Sequence, residues 1–287
     1  MEKQTEDRVI AVVGAGAMGS GIAQVAATSG FRVRLADVSA AALERAVASI
    51  RKSLSRLVKA GTISEADASG ALSRIATTTD HVEALRDAAA VIEAVPEDLA
   101  LKREVFRALD AAAPAGTLLL SNTSELSIAE IASATNRRDR VAGMHWFNPP
   151  PLMRLIEIVR AGETSDATVA AVEELSRRMG KETVVCRDAR GFVTSRALAA
   201  HVLECFRIAE EGIATPKDID TAIRLGLNYP MGPFELADYV GLDVLAAAAR
   251  GLAEAHGARF APPRILLERV EKGHLGVKTG KGFYDHG

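Results

Sequence analysis

The stretch GMHWFNPPPLMRLIEIV, residues 143–159, sets His145 beside the chain's only tryptophan and places Glu157 inside the aliphatic run Leu155, Ile156, Ile158 and Val159. An ionised carboxylate among such residues is costly to bury unless something donates to it. His145, across the proline triplet, is the nearest candidate. Pro149, Pro150 and Pro151 cannot continue a helix or a central strand, so the chain must turn after Asn148. RLIEIV then reads as a strand that can bring Glu157 back alongside His145. A carboxylate that accepts from one ring nitrogen leaves the other as a base.

A second constellation lies near the start. The apolar run VIAVV, residues 9–13, reads as a buried parallel strand and leads into Gly14, Ala15, Gly16, Ala17, Met18 and Gly19. Gly14 permits a tight turn, Gly16 lets backbone approach a pyrophosphate, and Gly19 lets the following helix pack close to the strand. The helix from about Met18 presents its N-terminal amides and dipole to phosphate. A second strand, FRVRLAD, ends in Asp37, eighteen residues after Gly19, where a carboxylate can accept from both ribose hydroxyls and repel a 2'-phosphate. These elements together predict an NAD site, with NAD favoured over NADP. A histidine oriented by a carboxylate beside such a site suits alcohol oxidation: the base takes the hydroxyl proton as hydride leaves for nicotinamide.

The elements that must position these groups follow from periodicity. Residues from about 40 to 75 read as two consecutive helices, LERAVASIRKSLSRLVKAG and SEADASGALSRI, more than one crossover needs and hence an inserted helical hairpin. Its first helix carries Arg51, Lys52, Arg56 and Lys59. Strand signals resume at IATTTD, AAVIEAVPED, TLLLSNTS and RVAGMHWF, with helices at LALKREVFRALDAAA and SIAEIASAT, the alternation of a parallel, doubly wound sheet. Ligands of such sheets bind beyond the carboxyl ends of the strands. Glu97, Asn122, Ser124 and the segment from His145 to Asn148 all fall at that edge. Beyond about residue 187 everything reads as helix, including GFVTSRALAAHVLECFRIAEEG, a Thr215-capped helix opened by Pro216, and GPFELADYVGLDVLAAAARGLAEA. The expected fold is α/β: a Rossmann-type domain over 1–187 with the hairpin inserted at about 40–75, then an all-helical domain over 188–287.

Composition bounds the partners. The chain of 287 residues is 48% hydrophobic and 25% charged, with a formal net charge of -2, so charge alone suggests neither nucleic acid nor an anionic membrane as a partner. Only Cys186 and Cys205 occur, too few for a disulfide framework, and both read as reduced structural thiols. The N-terminus MEKQTEDR lacks an apolar signal region or an Arg-rich presequence, and the expected setting is cytoplasmic. No HExxH or CxxC occurs and the histidines are scattered, so no metal is expected. His81, His201, His256, His274 and His286 read as structural or surface residues.

Seven blocks in order, from VIAVVGAGAMGSGIA through VIEAVPEDLALK, SNTSELSI, GMHWFNPPPLMRLIEIV, GFVTSR and NYPMGPFELADYVGLD to GVKTGKGFYDHG, make the chain resemble the 3-hydroxyacyl-CoA dehydrogenase family, close to its bacterial 3-hydroxybutyryl-CoA members. The resemblance spans essentially the whole chain. It implies that His145 is the catalytic base and Glu157 its partner, with Ser124 near the reacting carbinol and Asn148 shaping the site. It also implies that Glu97, Lys102, Asn122, Ser124 and Lys278 join Gly14 to Gly19 and Asp37 around NAD. Ser53 matches a CoA-contacting position, with Lys59 beside it, and a homodimer through the helical domain is implied. Two positions depart: Ser195 stands where the family usually has Asn, and Ala60 where it uses a lysine near CoA. A hydroxyl reaches less far than an amide, and Lys59 projects differently from position 60 on a helix.

Two other functions remain compatible with the residues. An NAD-dependent enzyme acting on a non-CoA hydroxy or sugar acid, of the gulonate dehydrogenase type, would share the scaffold, and a non-catalytic NAD-binding protein would share the fold. The basic hairpin and Ser53 favour an acyl-CoA. The presence of both His145 and Glu157 favours catalysis.

Overall fold

The computed structural model describes residues 8–287 and divides into two compact units, one running through Ala189 and the other covering Arg190–Gly287. The amino-terminal residues from which a cytoplasmic setting was expected lie almost wholly outside the described part.

The first unit is one eight-stranded sheet with helices on its faces. Its strands are β1 (Val9–Val13), β2 (Arg32–Ala36), β3 (Ile75–Thr78), β4 (Ala88–Glu93), β5 (Leu118–Ser121), β6 (Val141–Trp146), β7 (Leu155–Arg160) and β8 (Glu182–Arg187). They lie in the order β3-β2-β1-β4-β5-β6-β7-β8. The helices are α1 (Ala17–Thr28), α2 (Ala40–Lys59), α3 (Glu65–Ser73), α4 (His81–Leu85), α5 (Leu99–Ala112), α6 (Ile128–Ala132) and α7 (Asp166–Arg178). All five residues of β1 are buried, as a strand covered on both faces requires.

The strands from β3 to β6 are parallel, and the chain order reverses between β1 and β4, the crevice where such sheets take ligands. The last two strands lie outside that parallel run. β7 runs antiparallel to β6, and β8 runs parallel to β7. The reason is the proline turn: a parallel partner needs a crossover of a dozen or more residues, whereas residues 147–154 can only fold back. From β7 to β8 the longer connection through α7 supplies that crossover.

The inserted hairpin consists of α2 and α3. Ser39 caps α2 by accepting from the Ala42 amide, and Ser64 and Asp67 form a capping box on α3. Leu43, Ala46, Ile50 and Leu54 of α2 are buried in the same core as Ile22, Ala23 and Ala26 of α1. The opposite faces of α2 carry its cations.

The second unit comprises α8 (Thr194–Glu210), α9 (Pro216–Gly226), α10 (Pro233–Val240), α11 (Leu242–His256) and α12 (Arg264–Glu271). Thr215 caps α9 by accepting from the Asp218 amide, with proline in its first turn. The long apolar stretch expected as continuous helix is broken at Gly241, whose φ of 106° ends α10 and starts α11. Two buried carboxylates organise the core. Asp220 accepts from the Phe234 and Glu235 amides and the Tyr284 hydroxyl, and Asp238 from the Phe283 and Tyr284 amides. Phe206, Phe234 and Phe283 pack ring against ring between them.

Cys186 on β8 and Cys205 on α8 are free thiols. Burial, then Glu157 and Asp188 for the first and Asp220 and Glu204 for the second, pushes both up to about 11. A raised thiol favours the neutral form in the fold, so its contribution to stability is present below about pH 8.5, the ordinary thiol value, and is lost as pH rises through about 11. Iodoacetamide should therefore label both thiols slowly in the folded protein at about pH 8.5 and rapidly once urea unfolds it. Fast labelling of the folded protein at that pH would contradict this.

Candidate active site

The glycine loop occupies the turn between β1 and α1. Gly14 has φ 102°, and a Cβ there would lie 2.6 Å from the Ala94 carbonyl oxygen of the β4 edge. A Cβ on Gly19 would lie 1.8 Å from the Gly14 carbonyl oxygen, so α1 can reach the strand only with glycine at that position. Gly16 is different: no atom lies within 4 Å of its would-be Cβ, and its backbone is the N-cap of α1 without a side-chain cap. The first amides of α1 therefore point into open space where an anion can sit.

That space is a cleft of about 840 Å³, lined by Gly14 to Met18, Asp37, Arg45, Ser49, His81 and the Ala94–Pro96 segment among others. These residues suit a dinucleotide: amides for the pyrophosphate, a carboxylate at the end of β2 for ribose, and apolar walls for a base. His81, read from sequence as structural or surface, lines this cleft; it stands three residues past the end of β3, which was the available signal. Asp37 has a further task. Its Oδ2 accepts from the Ala15 amide at 2.7 Å and its Oδ1 from the Ser39 amide at 2.9 Å, so the expected ribose acceptor also ties the glycine loop to the cap of α2.

Further along the same edge, His145 and Glu157 are register partners across the antiparallel β6 and β7. Register partners share one face of the sheet. The Nδ1 of His145 lies 2.8 Å from Oε2 of Glu157, with His145 5% exposed and Glu157 fully buried. An ionised carboxylate only accepts, and against one Nδ1 would be the donor. The Phe147 ring packs on the imidazole at 4.5 Å between centroids. Asn122, at the end of β5, accepts from the Trp146 amide at 2.9 Å and so joins the neighbouring strand end to the histidine's own. The Lys181 ammonium, whose pKa burial lowers, donates to the Pro150 and Met153 carbonyls and holds the proline turn.

The other expected residues fall in several places. Ser124 is exposed just beyond β5, its amide and hydroxyl both directed to Glu97 Oε1, at 2.9 and 3.3 Å. Lys102 is 1% exposed, and its Nζ is engaged by Glu93, the Val95 carbonyl and Glu97 at 2.6, 3.2 and 3.4 Å. Three acceptors match the three donors of an ammonium, and the third of them joins Lys102 to Glu97. Asn148 is exposed at the start of the proline turn. Ser53 lines a smaller cavity of about 320 Å³ between α1, α2 and the proline turn, with Lys52 and Arg56 beside it. Lys59, the last residue of α2, is exposed and is not part of that lining. In the second unit, Ser195 is half-buried in the first turn of α8, and Lys278 Nζ pairs with Asp243 at 2.6 Å. Among the described residues no group of three His, Cys, Asp or Glu is placed to hold a metal ion.

A Rossmann-type sheet with an open helix N-terminus and a histidine-carboxylate pair at the same edge defines a dinucleotide-dependent dehydrogenase. Comparison with known proteins gives the family. Residues 9–189 match the model of the 3-hydroxyacyl-CoA dehydrogenase NAD binding domain, and residues 191–286 that of the 3-hydroxyacyl-CoA dehydrogenase C-terminal domain. A probable 3-hydroxybutyryl-CoA dehydrogenase of Bacillus subtilis (strain 168) is 43% identical over 282 residues, 98% of each chain. A 3-hydroxybutyryl-CoA dehydrogenase of Mycobacterium tuberculosis is 42% identical over 280 residues, 96% of this chain and 98% of the relative. The crystal structure of (S)-3-hydroxybutyryl-CoA dehydrogenase PaaH1 from Ralstonia eutropha superposes with a TM-score of 0.95 at 40% identity, covering 98% of this chain and 99% of that one. The chain belongs to the 3-hydroxyacyl-CoA dehydrogenase family, a family of NAD-dependent oxidoreductases.

Asp37 is the one carboxylate among the residues that line the cleft, and a 2'-phosphate beside it would meet like charge. Asp37→Asn, which keeps an acceptor for the Ala15 amide while removing the charge, should narrow the preference for NADH over NADPH by about tenfold, on the scale of one close charge interaction. Fluorescence titration with both cofactors measures it, and an unchanged preference would assign the discrimination to another residue.

Proposed function

We propose that this protein oxidises short-chain (3S)-3-hydroxyacyl-CoA, 3-hydroxybutyryl-CoA foremost, to the 3-oxoacyl-CoA and catalyses the reverse reduction, with His145 as general base and acid. The observation that carries the reading is the 2.8 Å contact between His145 Nδ1 and the fully buried Glu157. With Nδ1–H donated to the carboxylate, the neutral ring has its lone pair on Nε2, which takes the proton of the substrate's 3-hydroxyl. The imidazolium so formed is stabilised by the adjacent buried carboxylate. In reduction the same nitrogen returns the proton.

The loop from Gly14 to Gly19, with the first amides of α1, and Asp37 would hold NAD, which would supply the hydride acceptor. Ser124, whose amide and hydroxyl are fixed by Glu97, offers a polar group to the reacting oxygen from the neighbouring strand end. Asn148 and Ser195 complete the substrate contacts, and Ser53 with Lys52 and Arg56 faces the phosphates of CoA. Glu97, Asn122 and Lys278 belong to the NAD side of this reading. The first unit serves as the NAD-binding domain and the second, Arg190–Gly287, as the substrate and dimerisation domain, its start two residues later than the expected 188.

A homodimer assembled through the helical unit is supported by its exposed apolar side chains, among them Tyr239, Val240 and Val244 on α10 and α11. No helix of the described residues is long and apolar enough to cross a membrane, and the net charge of -2 supplies no basic field.

Oxidation of NADH with acetoacetyl-CoA, run beside free acetoacetate and beside NADPH, tests the proposal. Turnover with the thioester and NADH is expected, and turnover with free acetoacetate alone would move the substrate to a non-CoA acid. His145→Gln should lower kcat by about 10²- to 10⁴-fold, the usual contribution of general base catalysis, while NADH binding persists. Activity surviving that substitution would remove His145 from the mechanism.

A further inference from the structure

Beneath the nucleotide edge lies a closed set of polar side chains, most of it sealed from solvent. Glu93, the last residue of β4, is fully buried, and its carboxylate accepts three hydrogen bonds. Oε1 takes the Lys102 ammonium at 2.6 Å and the Val95 amide at 2.7 Å, and Oε2 takes the Ser121 hydroxyl at 2.7 Å. Lys102 Nζ carries the connection outward to Glu97 Oε2 at 3.4 Å. Glu97 Oε1 then accepts from the Thr123 hydroxyl at 2.5 Å and the Ser124 amide at 2.9 Å. The ring closes through the Thr123 amide, which donates to the Ser121 hydroxyl at 3.3 Å. The Asn122 amide donates to the Glu93 carbonyl, so both the backbone and the side chain of Glu93 hold the turn that follows β5.

Stability alone does not account for this arrangement. A buried ion pair loses hydration at both partners, and an apolar pair of similar volume packs at least as favourably. What the arrangement does deliver is placement. Its outward end is Glu97, with Ser124 beside it, at the carboxyl edge of the sheet, and the buried members Glu93, Lys102, Ser121 and Thr123 restrain Glu97 or the turn that Glu97 holds. A dinucleotide lying across the crevice between β1 and β4 has one nucleotide on the β2 side, beside Asp37, and the other on the β4 and β5 side. Glu97 and the Asn122–Ser124 turn are on that second side, next to the His145 strand.

We infer that Glu93 is a positioning residue for the nicotinamide half of the cofactor: through Lys102 it sets Glu97, and through Ser121 it sets the turn bearing Asn122 and Ser124, without touching NAD itself. The inference rests on the NAD reading of the cleft. It separates two groups of contacts, since the glycine loop and Asp37 lie on the other strand ends and make no bond to Glu93.

ADP and NADH distinguish them, because ADP lacks the nicotinamide half. Titration calorimetry with each ligand on the wild type, Glu93→Gln and Ser121→Ala proteins is the test. Glu93→Gln keeps the shape but weakens the grip on Lys102; Ser121→Ala removes one hydrogen bond from the same carboxylate and leaves no charge unpaired. NADH binding should weaken by about tenfold in Glu93→Gln and less in Ser121→Ala, the scale of hydrogen bonds to charged groups, with ADP affinity unchanged in both. Equal loss for the two ligands would mean that Glu93 merely supports the fold, and unchanged NADH affinity in the folded variants would also overturn the inference. Should Glu93→Gln fail to fold, Ser121→Ala decides by the same comparison. If the wild type bound neither ligand, the NAD reading itself would fall.

Discussion

The burial of Glu157 is the constraint on which the catalytic edge depends. A carboxylate sealed inside a sheet must be paired, and the partner must arrive on the same face at hydrogen-bond distance. Antiparallel register meets that requirement, since opposed residues on neighbouring strands share a face. The reversal of β7 against β6 is therefore a functional feature of the fold. A continued parallel sheet would require a long crossover between the histidine and its partner, and the proline turn removes that option in eight residues.

The turn is in turn held from two directions. A Cβ on Gly21 would come within 2.7 Å of Pro150, so the second turn of α1 packs directly against the proline segment. From the other side Lys181 donates to two of its carbonyls and lies over the Trp146 ring at 5.4 Å. The helix that the glycine loop opens and the strand that carries His145 thus share one packed boundary. Small displacements at such a boundary move both, which is how supporting residues remote from the chemistry acquire effects on it.

Much of this was legible in the sequence because each legible feature has a local cause. The glycine spacing follows from one strand-turn-helix unit, the strand alternation from burial on both faces, and the His145 and Glu157 pairing from a charge placed where an apolar residue is expected. What escaped has non-local causes. Glu93 lies in an apolar run just as Glu157 does, yet its partners Lys102 and Ser121 come from a later helix and strand. Lys102 matches the family's pattern by position, but only the structure shows its donors consumed by neighbours. Asp37 carries two backbone bonds that its type does not announce. The break at Gly241 was hidden by apolar residues on both sides, because periodicity persists across a glycine that changes the helix direction.

The central claim is that Glu157 fixes the imidazole of His145 with its proton on Nδ1, so that Nε2 is the basic nitrogen. Two-bond ¹H–¹⁵N correlation spectra of ¹⁵N-histidine-labelled protein read the tautomer directly. The neutral ring of His145 should show a protonated Nδ1 and an unprotonated Nε2, with this distinction lost or reversed in Glu157→Gln. A neutral His145 carrying its proton on Nε2 in the wild type would contradict the account.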